Sequence, residues 1–110
     1  MRIGIIYCAT NIVTGEVYVG QTNNLAKRMK EHFRYSYQKH RREYKVKFHE
    51  AIRAHGSSNF KWTILYSGIP EAYIDIMEKW CIYNYNSFEN GYNSHPGGRT
   101  VNAKLLLNMK

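Results

Sequence analysis

The sequence is poor in the residues that stabilise small secreted domains. Its 110 residues include only two cysteines, Cys8 and Cys81, and no Asn-x-Ser/Thr glycosylation site. Strand-like sequence begins at Arg2, so we expect no signal peptide. We expect a cytoplasmic protein in which both thiols are reduced and buried. No His/Cys cluster has the spacing of a zinc site, and no apolar run approaches the ~20 residues of a membrane helix. These absences exclude a disulfide scaffold, a zinc finger and a membrane span.

Acidic residues are scarce compared with basic ones. Eight Asp and Glu against 16 Lys and Arg give a formal net charge of +8. Such a field favours a polyanionic partner, most often nucleic acid, with membrane surfaces and acidic proteins as competing partners. Aromatic residues make up 15% of the chain and include ten tyrosines, which can stack on bases, bind phosphates or fill a core.

Hydrophobic periodicity predicts one α/β (α+β layered) domain with the order β-β-α-α-β-α. Three runs have strand-like alternation or β-branched and aromatic enrichment, at residues 2–9, 17–20 and 60–66. Three others have helical spacing, at residues 25–33, 46–55 and 71–85. Gly56 and Pro70 are expected to end the second helix and begin the third. The result is a three-stranded sheet flanked by helices, with four residues expected in its core: Phe60, Trp62, Ile64 and Trp80.

Two pairs of side chains suit phosphate chemistry, and each also has an ordinary structural explanation. Tyr7 and Tyr18 stand near glycines on the first two strands, where an aromatic cross-strand pair would stabilise the sheet by itself. Arg28 and His32 are four residues apart and share one helix face. That face is either a solvated basic surface or a wall that holds a phosphate and handles a proton.

Two single residues extend this set. Glu78 lies among apolar neighbours in the last predicted helix, where it is either solvated or a ligand of Mg²⁺ completed by waters and phosphate oxygens. Asn93 follows Gly91 in a turn. It either lies at the edge of a strand or uses its amide to bind backbone or substrate beside the site.

In this order along the chain, these elements resemble the GIY-YIG nuclease family. The motif that names the family appears as Gly4-Ile5-Ile6-Tyr7, with one Ile more than the name, and Tyr18-Val19-Gly20. Arg28, His32, Glu78 and the Asn93 of Gly91-Tyr92-Asn93 follow it. The resemblance extends from about residue 3 to residue 95. It is strongest to the catalytic domains of phage intron homing endonucleases, on three segments: Lys27-Arg28, Ala54-His55-Gly56 and Asn90-Gly91-Tyr92-Asn93.

The resemblance implies a three-stranded antiparallel sheet and divalent-metal-dependent hydrolysis of DNA phosphodiesters. Glu78 would bind the single metal, Mg²⁺ with Mn²⁺ as the alternative, and Arg28 would stabilise charge on the phosphate. Tyr7 would be the base toward the attacking water, which requires nearby cations to favour its phenolate. His32 would accept, relay or orient the Tyr7 proton, and Tyr18 would bind phosphate or water.

Further residues are expected to support this site. Lys27 would contact phosphate, His40 would add a histidine from the loop after the first helix, and Asn93 would act as a structural clamp near the metal ligand. His49 and His55 are interpreted as helix-surface or packing residues. The basic loop is predicted to bind the DNA backbone, or else to be a solvated surface, through Lys39, Arg41, Arg42, Lys45 and Lys47.

The resemblance also predicts the organisation and the partner. Residues 1–96 would be the nuclease domain and residues 97–110 a tail that begins a linker to a DNA-binding region, unless the nuclease is free-standing. DNA would be the partner, with no membrane, and the domain would be monomeric, tethered or transiently dimerising for double-strand cleavage. Restriction and repair roles remain alternatives to homing. A non-catalytic DNA-binding module would not need the complete residue set, and an RNA-binding domain would need an RNP-like aromatic pattern that is missing.

Overall fold

The three strands and three helices occur in the order that the sequence predicted. The computed structural model describes residues 3–96, so the tail at 97–110, with a short basic helix predicted at 101–110, lies outside the described residues. The elements are β1 (Ile3–Asn11), β2 (Val17–Thr22), α1 (Leu25–Ser36), α2 (Lys47–His55), β3 (Phe60–Pro70) and α3 (Glu71–Asn84). Short 3₁₀ turns cover Arg42–Lys45 and Ser57–Asn59. Within the described part of the chain, no helix is long and apolar enough to cross a membrane.

The sheet is antiparallel throughout, with strand order β2-β1-β3. The central strand β1 pairs Tyr7 with Gly20 and Ala9 with Tyr18 on β2. Residues that face each other across an antiparallel pair point to the same side of the sheet. Tyr7 and Tyr18 are therefore diagonal neighbours on one face, with their ring centroids 6.2 Å apart.

Alternation along β1 divides the core between the two faces of the sheet. One face packs against α3 through an aliphatic cluster, which consists of Ile6, Val19, Ile69, Ile74, Cys81 and Ile82. The opposite face packs against α2 through a second cluster, which consists of Ala9, Phe48, Ala51, Ile52, Phe60 and Tyr92. Tyr18, Phe33 of α1 and Trp62 border this second cluster. Both cysteines are buried free thiols, as the sequence indicated.

Local signals explain where the helices begin and end. The side chain of Asn24 accepts a hydrogen bond from the backbone N–H of Lys27 and so caps α1. Gly56 ends α2 with a φ of 85°, in the left-handed region that favours glycine. Pro70 is the last residue of β3 and directly precedes α3, where its missing N–H costs no helical hydrogen bond.

The ends of four elements and one core residue differ from the sequence-based expectations. β1 continues to Asn11, β2 to Thr22, β3 to Pro70 and α1 to Ser36, beyond their predicted ends. The expectation that Ile64 belongs to the core was wrong, because this residue is 51% exposed on the edge strand β3. Phe60 is buried as predicted, whereas Trp62 and Trp80 are partly buried at the margins of the two clusters.

Candidate active site

A buried hydrogen bond joins the tyrosine of the central strand to the histidine of α1. The hydroxyl of Tyr7 lies 2.8 Å from Nε2 of His32, and both side chains are almost completely buried. The two residues are 25 positions apart in the sequence, so tertiary packing brings them together. Two of the predicted site residues therefore contact each other directly.

Gly20 provides the space for the Tyr7 side chain. A Cβ atom on Gly20 would lie 2.5 Å from the Tyr7 hydroxyl oxygen and 2.6 Å from its Cζ. Both distances are shorter than a van der Waals contact. Gly20 is the cross-strand partner of Tyr7. The glycine of Tyr18-Val19-Gly20 is thus a steric requirement of the neighbouring phenol.

Tyr18 lies between α1 and α2 and contacts aromatic rings of both helices. Its ring stacks on Phe48 with a centroid distance of 4.3 Å and an interplanar angle of 3°. It meets the ring of His32 edge-on at 5.3 Å. Burial raises the pKa of Tyr18 above its ordinary value, and the positive charge of Arg28 partly opposes this. Tyr18 is therefore a protonated phenol held rigidly beside His32.

Arg28 lies one helical turn before His32 and adjoins both tyrosines. Its charge and its side-chain hydrogen bonds act on the pKa of Tyr7 and of Tyr18. The guanidinium also forms an ion pair with Glu31 at 3.2 Å, and the Arg28 side chain is 33% exposed. The protein thus holds a cation next to the two phenols while part of it remains available to a ligand.

The protonation states differ from what the sequence suggested. Burial is the main cause that raises the pKa of Tyr7 far above its ordinary value, and it outweighs the opposing charge of Arg28. The expectation that nearby cations favour the phenolate is therefore not met by the protein's own groups. Burial also lowers the pKa of His32 to about 2, with further lowering by Arg28 and His49. A neutral phenol thus faces a neutral imidazole.

Glu78 approaches the two tyrosines from α3. Its negative charge contributes to the raised pKa of both Tyr7 and Tyr18. Nε2 of Gln21 donates to Oε1 of Glu78 at 3.2 Å and to Oδ1 of Asp75 at 2.8 Å, which ties the end of β2 to α3. Glu78 is partly buried, so the carboxylate is held at the edge of the site.

The donors around Glu78 fit a hard cation that keeps most of its water. Within residues 3–96 there is no group of three or more His, Cys, Asp or Glu side chains that could enclose a metal ion. One carboxylate completed by water and phosphate oxygens is a ligand set that suits Mg²⁺, whereas zinc takes a closed set of protein nitrogen and sulfur ligands. The partly buried carboxylate of Glu78 could supply the protein ligand of such a set.

Asn93 binds the outer edge of β2. Its Oδ1 accepts from the backbone N–H of Val19 at 2.9 Å, and its Nδ2 donates to the carbonyl of the same residue at 2.8 Å. The backbone N–H of Tyr92 donates to the carbonyl of Val17 at 2.9 Å. A Cβ on Gly91 would lie 2.6 Å from that carbonyl oxygen. The segment Gly91–Asn93 therefore covers the free edge of the strand that carries the second motif.

Two residues that sequence reasoning missed also belong to this region. His49 on α2 is 2% exposed and hydrogen-bonds the second ring nitrogen of His32. Its spacing from buried Ile52, three residues on, was the available signal that it faces inward. Gln21, which follows the motif glycine and binds Glu78, had no comparable signal.

Most of the remaining predicted residues are exposed on the surface. Lys27 is exposed, and His40 is exposed on the connection between α1 and α2. A cavity of about 130 Å³ beside Arg28 is lined by Tyr18, His32, His49, Asn93 and His95, among others; His40 is not one of its lining residues. Four residues of the basic loop are exposed: Lys39, Arg42, Lys45 and Lys47. Arg41 is partly buried, with its guanidinium 4.0 Å from the centroid of the Tyr35 ring.

Two solved structures resemble this fold closely. The catalytic domain of the intron endonuclease I-TevI, solved as a point mutant, matches with a TM-score of 0.74 and 27% identity, over 86% of this chain and 95% of that chain. Another structure of the catalytic domain of the homing endonuclease I-TevI matches with a TM-score of 0.72 and 28% identity, over 84% and 98%. No curated protein matches the sequence.

The family model of the GIY-YIG catalytic domain matches residues 3–93, which include both strands of the motif, α1, α3 and Asn93. This range covers most of the chain and nearly all of its described part. The resemblance noted in the sequence is thereby confirmed, and the chain belongs to the GIY-YIG nuclease family.

Proposed function

We propose that this chain is a DNA endonuclease that hydrolyses phosphodiester bonds with the help of one divalent cation. The observation that carries the proposal is the buried Tyr7–His32 hydrogen bond beside the Arg28 guanidinium and the Glu78 carboxylate. These four groups come from β1, α1 and α3. Together they supply what phosphodiester hydrolysis needs: a route for the proton of water, a cation at the phosphate and a ligand for a metal ion.

Arg28 is the group that we assign to the phosphate. Its planar fork suits two phosphate oxygens, and its partly exposed position leaves it open to a bound backbone. The guanidinium is already held beside two neutral phenols. Negative charge that develops on the phosphate would therefore face a cation that is already in position. Tyr18 would donate its hydroxyl hydrogen to the phosphate or to the attacking water.

Tyr7 and His32 are the groups that we assign to the attacking water. The phenol is protonated, so it can take a proton from water only as it gives its own proton away. His32 is neutral, and its Nε2 lies 2.8 Å from the Tyr7 hydroxyl, within reach of that proton. The water proton would move to the Tyr7 oxygen while the phenolic proton moves to His32. Burial disfavours a charged His32 in the free protein, so this transfer depends on the negative charge of the bound phosphate to favour the imidazolium.

Glu78 is the residue that we assign to the cation, with Mg²⁺ as the first expectation and Mn²⁺ as the alternative. When bound, such an ion polarises the phosphate and stabilises the leaving oxygen. Gln21 would orient the carboxylate through its hydrogen bond to Oε1.

DNA is the proposed substrate because the chain carries a net charge of +8 and an exposed basic loop after α1. Phosphate contacts from Lys39, Arg42, Lys45 and Lys47 would supply affinity without sequence information. Both structural relatives are catalytic domains of I-TevI, which is named as an intron and homing endonuclease. We therefore favour a homing-type enzyme.

The test is cleavage of supercoiled plasmid with Mg²⁺ by the parent protein, by Glu78→Gln and by the parent with a chelator. We expect nicking or cutting by the parent and a loss of about 10²-fold or more in rate in both other samples. Glu71→Gln is the matched control, because it makes the same change at an exposed position two turns earlier on α3. Cleavage that survives both Glu78→Gln and the chelator would refute the metal role of Glu78.

A further inference from the structure

The hydrogen bond between Tyr7 and His32 continues into a longer buried chain. Nδ1 of His32 lies 2.8 Å from Nε2 of His49, and Nδ1 of His49 lies 2.6 Å from the backbone carbonyl oxygen of Glu43. Both imidazoles are about 2% exposed. Four groups from β1, α1, α2 and the 3₁₀ turn before α2 are thus connected in series.

The end of this chain fixes the direction of every hydrogen bond in it. A carbonyl oxygen only accepts, so Nδ1 of His49 carries a hydrogen, and Nε2 of this neutral ring carries a lone pair. That lone pair must accept from His32, which places the hydrogen of His32 on Nδ1. The free nitrogen of His32 is then Nε2, and it accepts the hydroxyl hydrogen of Tyr7. Burial lowers the pKa of both histidines, which agrees with two neutral rings.

The terminal acceptor is itself held in place. Nη1 of Arg53 donates to the carbonyl oxygens of Ser36 and Tyr44, at 2.8 and 2.7 Å. The guanidinium lies 3.6 Å from the centroid of the Tyr44 ring. Arg53 therefore joins the end of α1, the 3₁₀ turn and α2, and it fixes the backbone next to the Glu43 carbonyl.

We propose that His49 is a positioning residue of the active site, which holds His32 in the tautomer whose Nε2 lone pair faces Tyr7. Without an acceptor at His49, the hydrogen of His32 is free to move to Nε2. That nitrogen would then donate to the Tyr7 oxygen, and the phenol could no longer pass its proton to His32. The catalytic consequence rests on the proposed nuclease function, whereas the tautomer itself does not.

Two substitutions at His49 distinguish its role as a hydrogen-bond acceptor from its role in packing. In His49→Gln the amide oxygen can replace Nε2 as the acceptor, and in His49→Leu the volume is largely kept but the acceptor is lost. We expect His49→Leu to slow single-turnover cleavage by about tenfold or more, as is typical for partners that orient a reacting side chain. His49→Gln should keep most of the rate, and DNA affinity should stay the same in both variants. His55→Gln, on the same helix, is the matched control.

The tautomer is measured directly by ¹⁵N NMR of the imidazole nitrogens in the absence of DNA. We expect His32 to be protonated at Nδ1 and not at Nε2 in the parent and in His49→Gln. In His49→Leu, hydrogen should appear on Nε2, and thermal unfolding would establish that the variant is folded. This readout remains decisive even if the parent cleaves no DNA, a result that would refute only the proposed function.

Three results would overturn the proposal. The first is a parent protein in which His32 carries its hydrogen on Nε2. The second is a folded His49→Leu variant that keeps the parental tautomer or the parental cleavage rate. The third is a folded His49→Gln variant that is as slow as His49→Leu, because restoring the acceptor should restore the rate.

Discussion

The two faces of the sheet are built from different kinds of side chain. The face toward α3 holds an aliphatic cluster in which Ile6, Val19 and Ile82 are almost fully buried. The face toward α1 and α2 combines the rings of Tyr7, His32 and other aromatic residues with directional hydrogen bonds. One face is held mainly by apolar contact, and the other also depends on the positions of individual polar atoms.

This difference shows why the site lies where it does. Aliphatic packing tolerates small shifts, because many weak contacts share the stabilisation and Ile or Leu can repack. A phenol that transfers its proton requires a partner nitrogen at hydrogen-bond distance, and rigid stacked rings provide such positions. The aliphatic face therefore stabilises the sheet, while the aromatic face fixes the positions of Tyr7, Tyr18 and His32. Glu78 approaches these side chains from α3.

The largest effect that separates the two faces is expected from the same change at two glycines. In Gly20→Ala the new methyl group would lie 2.5 Å from the Tyr7 hydroxyl oxygen, so the phenol must leave the position in which it bonds His32. We expect the cleavage rate to fall by about 10²-fold, as for other losses of positioned catalytic groups. Single-turnover kinetics at saturating DNA would measure it.

Gly4→Ala is the matched change on the aliphatic face. Its new methyl group would lie 2.7 Å from the terminal Cδ1 of Ile74, the flexible end of a side chain that can rotate away. We expect a loss in the free energy of unfolding of about 1–3 kcal/mol, as for other overpacked cores, with little change in cleavage rate. Equal loss of activity in the two variants would contradict the division of labour between the faces.

A smaller effect is expected from acid, which should act on the aromatic face. His32 keeps a pKa of about 2 in the folded protein, and the pKa of His49 is also lowered, chiefly by burial. In the unfolded chain both should titrate near pH 6.5. Their folded pKa values lie below the unfolded ones, so unfolding takes up protons and stability is lost as the pH falls below about 6.5.

Chemical denaturation at several pH values would measure this loss. The free energy of unfolding should fall by up to about 1.4 kcal/mol per pH unit for His32 between about pH 6.5 and 5, with a further loss from His49. In His49→Leu the slope should decrease. The charges that face the pair are Arg28, Arg53 and Glu43. A stability that stays constant over this range would contradict burial of two neutral imidazoles.

Most of the fold could be predicted from local signals in the sequence. Gly56 and Pro70 marked helix ends, and hydrophobic periodicity predicted all six elements in order. The exposed position of Ile64 could not be predicted, because alternation along a strand does not tell which part of a face the helices cover. The ends of α1 and β3 were also misplaced, since they depend on tertiary contacts more than on local propensity.

The site was predictable only as far as its motif reaches. The family pattern indicated Tyr7 and His32, which the structure joins by a hydrogen bond. It did not indicate His49, whose proposed role depends on a contact with His32, a residue of another helix that lies 17 positions earlier in the sequence. The protonation of Tyr7 was also missed, because net charge is a property of the sequence and burial is a property of the fold.

The most direct test of the account is the single-turnover rate of plasmid cleavage by Tyr7→Phe, compared with the parent at equal DNA occupancy. This change removes only the hydroxyl that binds His32, and leaves the ring that packs beside Tyr18 and Trp62. The account predicts a folded protein that binds DNA normally and cleaves it about 10²-fold or more slowly. Cleavage at the parental rate would contradict the claim that the Tyr7–His32 pair carries the proton of the attacking water.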